Sequence, residues 1–246
     1  MNREPTTNAW VRFHPLTRIV VVVASVLSLV LFAGVERVGE ALAHFSPGGS
    51  FEARCDDLPP SEVTVRVVPP RVLENRSTPA EALTRLGEGA APGERTIGLT
   101  LANFGHSSTF EMRGVEDRRG GRACVRPAVS VHLYLKPLTV YVASEYSGDP
   151  CRARVIREHE ERHVAVYTEF AGEAASRLRA SLAKAIGTSP HFAADVGEAQ
   201  GNIDRRLGAT LEAFMRDAQR ELAQRQALID TPEEYERVRT ACLAPA

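Results

Sequence analysis

Residues 151–186 are built mainly from Ala, Leu, Arg and Glu, with apolar side chains returning at helical spacing. That run constrains the fold more than any other part of the chain, because it predicts one uninterrupted helix of about 54 Å at 1.5 Å per residue. The chain breaks at 187–190 (Gly-Thr-Ser-Pro), and the pattern then predicts a second helix over 203–228 and a short third one from Pro232. The C-terminal half is therefore expected to be helical.

The preceding part reads differently. Residues 63–68 alternate as a strand that Pro69-Pro70 ends, 79–86 suit a short helix, and 96–101 and 108–112 are expected as strands around a turn at 104–107. Residues 118–122 form a loop. The strongest strand signal is in 129–135 and 138–144, rich in β-branched and aromatic residues and separated by Lys136-Pro137, which is read as a β-hairpin. The resulting expectation is α+β: a strand-rich part (61–150) with a hairpin, packed on a helical part (151–246), forming one domain behind a linker at 44–60.

The first 43 residues carry Arg3, Arg12 and Arg18 ahead of an apolar block at 19–35. Two readings are open: a signal peptide cut after Ala41-Leu42-Ala43, or an uncleaved anchor in the inner membrane, since about 17 apolar residues sit at the lower limit for spanning a bilayer. The arginines stay cytoplasmic in either case, and the rest is exported to the periplasm or another extracytoplasmic space. Four cysteines, Cys55, Cys124, Cys151 and Cys242, agree with an oxidising compartment. The expected bridges are Cys124 with Cys151, closing the strand-rich centre, and Cys55 with Cys242, tying the chain ends. A net charge of −1 with both signs spread along the chain gives no basic stripe, which argues against a nucleic-acid partner.

The chemistry lies inside the long helix, at His159-Glu160-Glu161-Arg162-His163. Histidines four apart stand one turn apart on one face, where both imidazoles reach a single Zn2+. Glu160 is then placed to accept a proton from zinc-bound water. At about 100° per residue, Ile156, His159, Glu160, His163, Tyr167, Phe170, Ala174 and Leu178 share one broad face. Arg157, Glu158, Glu161 and Arg162 point elsewhere, with Arg157–Glu161 and Glu158–Arg162 spaced to pair. A solvated charge run would not select both histidines and one glutamate for the inner face.

These five residues resemble the signature of the zincin metallopeptidases. More loosely, residues 124–170 are similar to a family of predicted secreted zinc-dependent proteases of unknown function. The resemblance implies a hydrolase, a metalloprotease in which His159 and His163 bind zinc and Glu160 is the general base, with a peptide or protein as substrate. Glu161 and Arg162 stand where the zincin pattern usually has uncharged residues, which places the motif helix at the domain surface.

A catalytic zinc needs a third protein ligand. Glu169 points away from His163 on a continuous helix, Glu173 lies about 15 Å along the axis, and the helix carries the chain too far for His191 to return. With the two long helices folded as a hairpin about Ser189, the turn facing the histidines falls near Ala218, which makes Asp217 and Glu221 candidates. The strand-side candidates are His106, His132 and Glu145. The strand 138–144 is placed in sequence to pair with an extended substrate. The alternative to an enzyme is an envelope protein in which the histidine pair only supports helix packing.

Overall fold

The computed structural model describes residues 49–87 and 95–243, all within one compact unit, Pro47–Ala246. The apolar block at 19–35 and the Ala-x-Ala pattern lie outside the described residues. Among the described residues no helix is long and apolar enough to cross a membrane.

The α+β expectation holds. Strands β1 (Glu62–Val67), β2 (Val72–Asn75), β3 (Gly98–Asp117), β4 (Arg122–Val142) and β5 (His191–Ala193) form one mixed sheet. Helices α1 (Phe51–Asp56) and α2 (Ala80–Leu86) flank it, and α3 (Pro150–Ile186), α4 (Val196–Ala227) and α5 (Pro232–Thr240) make the helical part. Strand β4 organises the sheet. Antiparallel β3 follows one of its edges from Asp117↔Arg122 to Gly98↔Val142. Antiparallel β5 and parallel β1 and β2 pair with successive stretches of its other edge.

The hairpin expected at Lys136-Pro137 is absent: 129–135 and 138–144 belong largely to one strand, β4, and the two strands expected at 96–101 and 108–112 are likewise one, β3. Pro137 is tolerated because the register shifts between Ala102 and Phe104, so that Lys136 and Pro137 together face Asn103. At such a bulge the missing proline N–H costs no ladder hydrogen bond. The true hairpin turn is at 118–121, where Gly121 adopts φ 58°, a left-handed conformation that glycine takes without a Cβ penalty.

Alternate residues of β4 from Val125 to Leu135 face the helices, where Val129, Val131 and Leu133 meet Phe170, Leu178 and Leu182 of α3 and Leu207 and Leu211 of α4. Phe170 meets Phe104 of β3 edge to face at 5.6 Å. Helix α3 starts where Asp149 caps Arg152 N with Pro150 in its first turn, and ends at Gly187, φ 67°. These are the signals that made its length readable. Helix α4 begins seven residues before the expected 203, capped by Asp195. Residues 51–56, expected within a linker, form α1, which Ser50 caps and which buries Phe51 and Cys55.

All four cysteines are bridged, but as Cys55–Cys124 and Cys151–Cys242, with Cα–Cα distances of 6.1 and 6.0 Å. The expected pairing fails because β4 is one strand. Cys124 lies near its start and Cys151 just beyond its end, up to about 60 Å apart at roughly 3.3 Å per residue. Cys124 instead fastens α1 to the β3–β4 hairpin, and Cys242, following α5, returns to the first turn of α3.

Candidate metal centre

The motif occupies the third and fourth turns of α3, ahead of Phe170, where the helix face leaves the apolar core. His159, Glu160 and His163 are 6%, 3% and 9% exposed, while Glu158, Glu161 and Arg162 are exposed. Arg157 pairs with Glu161 at 3.4 Å as expected. Glu158 instead pairs with Arg154 at 2.9 Å, and Arg162 reaches across to Glu234 of α5.

Three donor atoms converge on this face. His159 Nε2 is 3.2 Å from Asp230 Oδ1, His163 Nε2 is 3.3 Å from the same oxygen, and the two Nε2 atoms are 3.3 Å apart. A tetrahedral ion with ligands at 2.0–2.1 Å separates its donor atoms by about 3.3 Å, so a zinc ion fits this triangle. Three protein donors are one fewer than a closed tetrahedral structural site uses. Among the described residues this is the one group of His, Cys, Asp or Glu with metal-ligand spacing.

Asp230 stands between α4 and α5, one residue before Thr231, which caps α5 through Glu234 N. Sequence reasoning missed it through an error of register. Residues 187–195 form the turn and β5, so α4 returns later than a tight hairpin would allow, and the residue meeting His163 is Gln226. That is about two helical turns beyond Ala218. The proposed third ligands are engaged elsewhere. Glu221 pairs with Arg177 and Arg225, both at 2.7 Å, and Asp217 pairs with Arg220 at the surface. Glu145 caps α2, accepting from Ala80 N at 3.1 Å. His132 is exposed, and His106, opposite Leu133 in the sheet, has its pKa lowered by burial.

A second layer of contacts holds the ring nitrogens that face away from the triangle. Gln226 Oε1 is 2.6 Å from His163 Nδ1, and Gln226 Nε2 donates to the His163 carbonyl at 3.2 Å. Glu234 Oε1 is 3.1 Å from His159 Nδ1 and is itself gripped by Arg162 and Arg237. Tyr235 lies over His159, ring centroids 6.1 Å apart.

Glu160 faces β3 rather than solvent: the Thr100 hydroxyl donates to its Oε2 at 2.8 Å. A Cβ on Gly98 would overlap Glu160 Oε1 and stand 2.6 Å from Ile156 Cγ2, so a glycine is what admits the carboxylate here. Burial raises the Glu160 pKa, opposed by the Thr100 hydrogen bond and the two histidines. Burial also acts to raise Asp230, but its bonds to His159 and His163 outweigh this and hold it well below the usual carboxylate range. For His163 burial acts downward, and the bonds to Asp230 and Gln226 outweigh it, raising the pKa.

The strand 138–144, expected to receive substrate, is flanked by β2 and β3 for most of its length and has no free edge there. The strand beside Glu160 with one unpaired edge is β3, which pairs with β4 alone among the described strands. No protein-family model matches the chain, and neither a curated protein nor a solved structure matches it.

Proposed function

We propose that the protein is an exported zinc-dependent hydrolase acting on peptides, with His159, His163 and Asp230 as zinc ligands and Glu160 as general base. The observation that carries this reading is the 3.2–3.3 Å triangle of Nε2, Nε2 and Oδ1 beside a buried glutamate. A zinc ion held there supplies Lewis acidity, polarising a carbonyl and making water a stronger acid.

The chain's own residues supply the proton transfers. Glu160 takes the proton that water loses as its oxygen joins the scissile carbonyl, and returns it to the leaving nitrogen as the C–N bond breaks. Its pKa is raised by burial, which makes the carboxylate a stronger base than one in solvent. Thr100 holds one carboxylate oxygen and so fixes the plane of the group. The unpaired edge of β3 favours a peptide over other hydrolysable substrates, since an extended chain can add to it as a further strand. The two disulfides suit an oxidising space outside the cytoplasm, with residues 19–35 as the export segment.

The close cover of His159 by Glu234 and Tyr235 favours a second reading, a centre that only fastens α5 to α3. Elemental analysis and peptide hydrolysis of the full chain separate the two. The catalytic reading expects about one zinc per chain, lost in Asp230→Ala, and a Glu160→Gln variant that keeps zinc and loses hydrolysis. Hydrolysis undiminished in Glu160→Gln would overturn it.

A further inference from the structure

The two histidines are held differently on their outer sides. Gln226, on the last turn of α4, makes two hydrogen bonds to one residue, His163: its amide nitrogen donates to the backbone carbonyl and its amide oxygen meets ring Nδ1. An amide nitrogen only donates, an amide oxygen only accepts, and a backbone carbonyl only accepts. The carbonyl therefore fixes which end of the carboxamide faces the backbone, and the oxygen is left facing the ring. An oxygen 2.6 Å from Nδ1 requires that nitrogen to carry the proton. The lone pair of a neutral His163 is then on Nε2, the atom 3.3 Å from both His159 Nε2 and Asp230 Oδ1.

His159 has no equivalent constraint. Glu234 Oε1 can accept from its Nδ1, but Arg162 Nη2 is also 3.0 Å from that nitrogen and can only donate. In either tautomer of His159, Nδ1 thus has a partner, whereas Nδ1 of His163 has one only when it carries the proton, since its neighbour at 2.6 Å is an acceptor oxygen.

We propose that Gln226 is a positioning residue that presets His163 as the Nδ1–H tautomer and so holds Nε2 ready for a divalent metal ion. The inference rests on the metal-centre reading above and adds to it the residue that prepares the site before metal arrives. Gln226 acts through His163 and touches neither metal nor substrate. It also couples the third ligand to the second, because the helix end that grips His163 continues within four residues to Asp230.

The test uses the full chain with Zn2+ alone as probe, titrated against a chromophoric chelator, together with imidazole 15N shifts of the metal-free protein. Wild type is expected to show His163 protonated at Nδ1 before zinc is added. Gln226→Leu is expected to weaken zinc binding by roughly 10- to 100-fold, the usual cost of removing a partner from a metal-ligating histidine. Gln226→Glu keeps the acceptor, and should restore binding to within a few-fold of wild type while His163 stays in the Nδ1–H form. Equal zinc affinity in wild type and Gln226→Leu would overturn the positioning role and leave the metal centre standing, as would equal losses in the Leu and Glu variants. A wild-type chain that takes up no zinc would overturn both. Should Gln226→Leu fail to fold, the wild-type spectrum still decides: a neutral, metal-free His163 with its single proton on Nε2 refutes the preset.

Discussion

Helix α3 is one continuous element with two environments. From Phe170 to Ile186 its inner face carries Phe170, Ala174, Leu178 and Leu182, all fully buried against the sheet and α4. From Ile156 to His163 the same face carries two histidines and a glutamate, met by Gln226, Asp230 and Glu234. The apolar half holds the helix in place without specifying one chemistry. The polar half is affordable because its groups satisfy one another, which a buried histidine or carboxylate needs. The difference shows how a rigid helix can present donor atoms: one stretch anchors it and another brings polar groups together.

Breaking the anchor should have the largest effect. Phe170→Ala is expected to lower unfolding free energy by about 3–5 kcal/mol in urea titration, since it opens a cavity at the centre of the core. The zinc stoichiometry of the folded fraction should be unchanged, and parallel loss of zinc and stability would mean that the two halves are not separable. At the polar stretch, Asp230→Ala should weaken zinc binding by more than ~100-fold, beyond the loss seen for outer contacts. Thermal stability in chelator should change far less than for Phe170→Ala.

Gly98→Ala sharpens the comparison at smaller cost. A methyl group where Glu160 Oε1 and Ile156 pack should destabilise by ~1–3 kcal/mol, with zinc retained and hydrolysis reduced, because the glutamate and not a ligand is displaced. The smallest expected effect is on pH dependence. The folded pKa of Asp230 is depressed, so its contribution to stability is present above the unfolded carboxylate range and is lost as pH falls through the folded value. That of His163 is raised, so its contribution is complete below the unfolded pKa of roughly 6.5 and is lost as pH rises through the folded one. Metal-free protein should therefore become less stable on the alkaline side of that window. Zinc-loaded protein should not, because metal binding favours deprotonated histidines. Melting curves with zinc and with chelator, taken across the window, check this, and parallel pH profiles would count against the coupling.

Much of α3 was legible because its signals are local. Asp149 and Pro150 start it, Gly187 ends it, and the period between them chooses the inner face. The two histidines and Glu160 followed from that period. Features depending on distant registration were not legible. Lys136-Pro137 looks like a turn until β3 supplies the bulge that accommodates it, and the disulfide pairs follow from the uninterrupted length of β4. Asp230 was hidden for the same reason: its place opposite His163 depends on how many residues the connection between α3 and α4 consumes. Gln226 and Thr100 carry no motif, and only the assembled site distinguishes them from ordinary polar residues.

The Cys151–Cys242 bridge joins residues 91 positions apart, and His159, His163 and Asp230 all lie between them. Once oxidised, the chain is a macrocycle containing all three donor residues. Closing a ring of this size removes about 4–5 kcal/mol of disorder from the unfolded chain in the loop-entropy account. The ring keeps the histidine pair and the distant carboxylate within reach of each other even when the helices open. Oxidation then confines the three donors to one covalent loop, and a thiol-rich space would leave them on an open polymer.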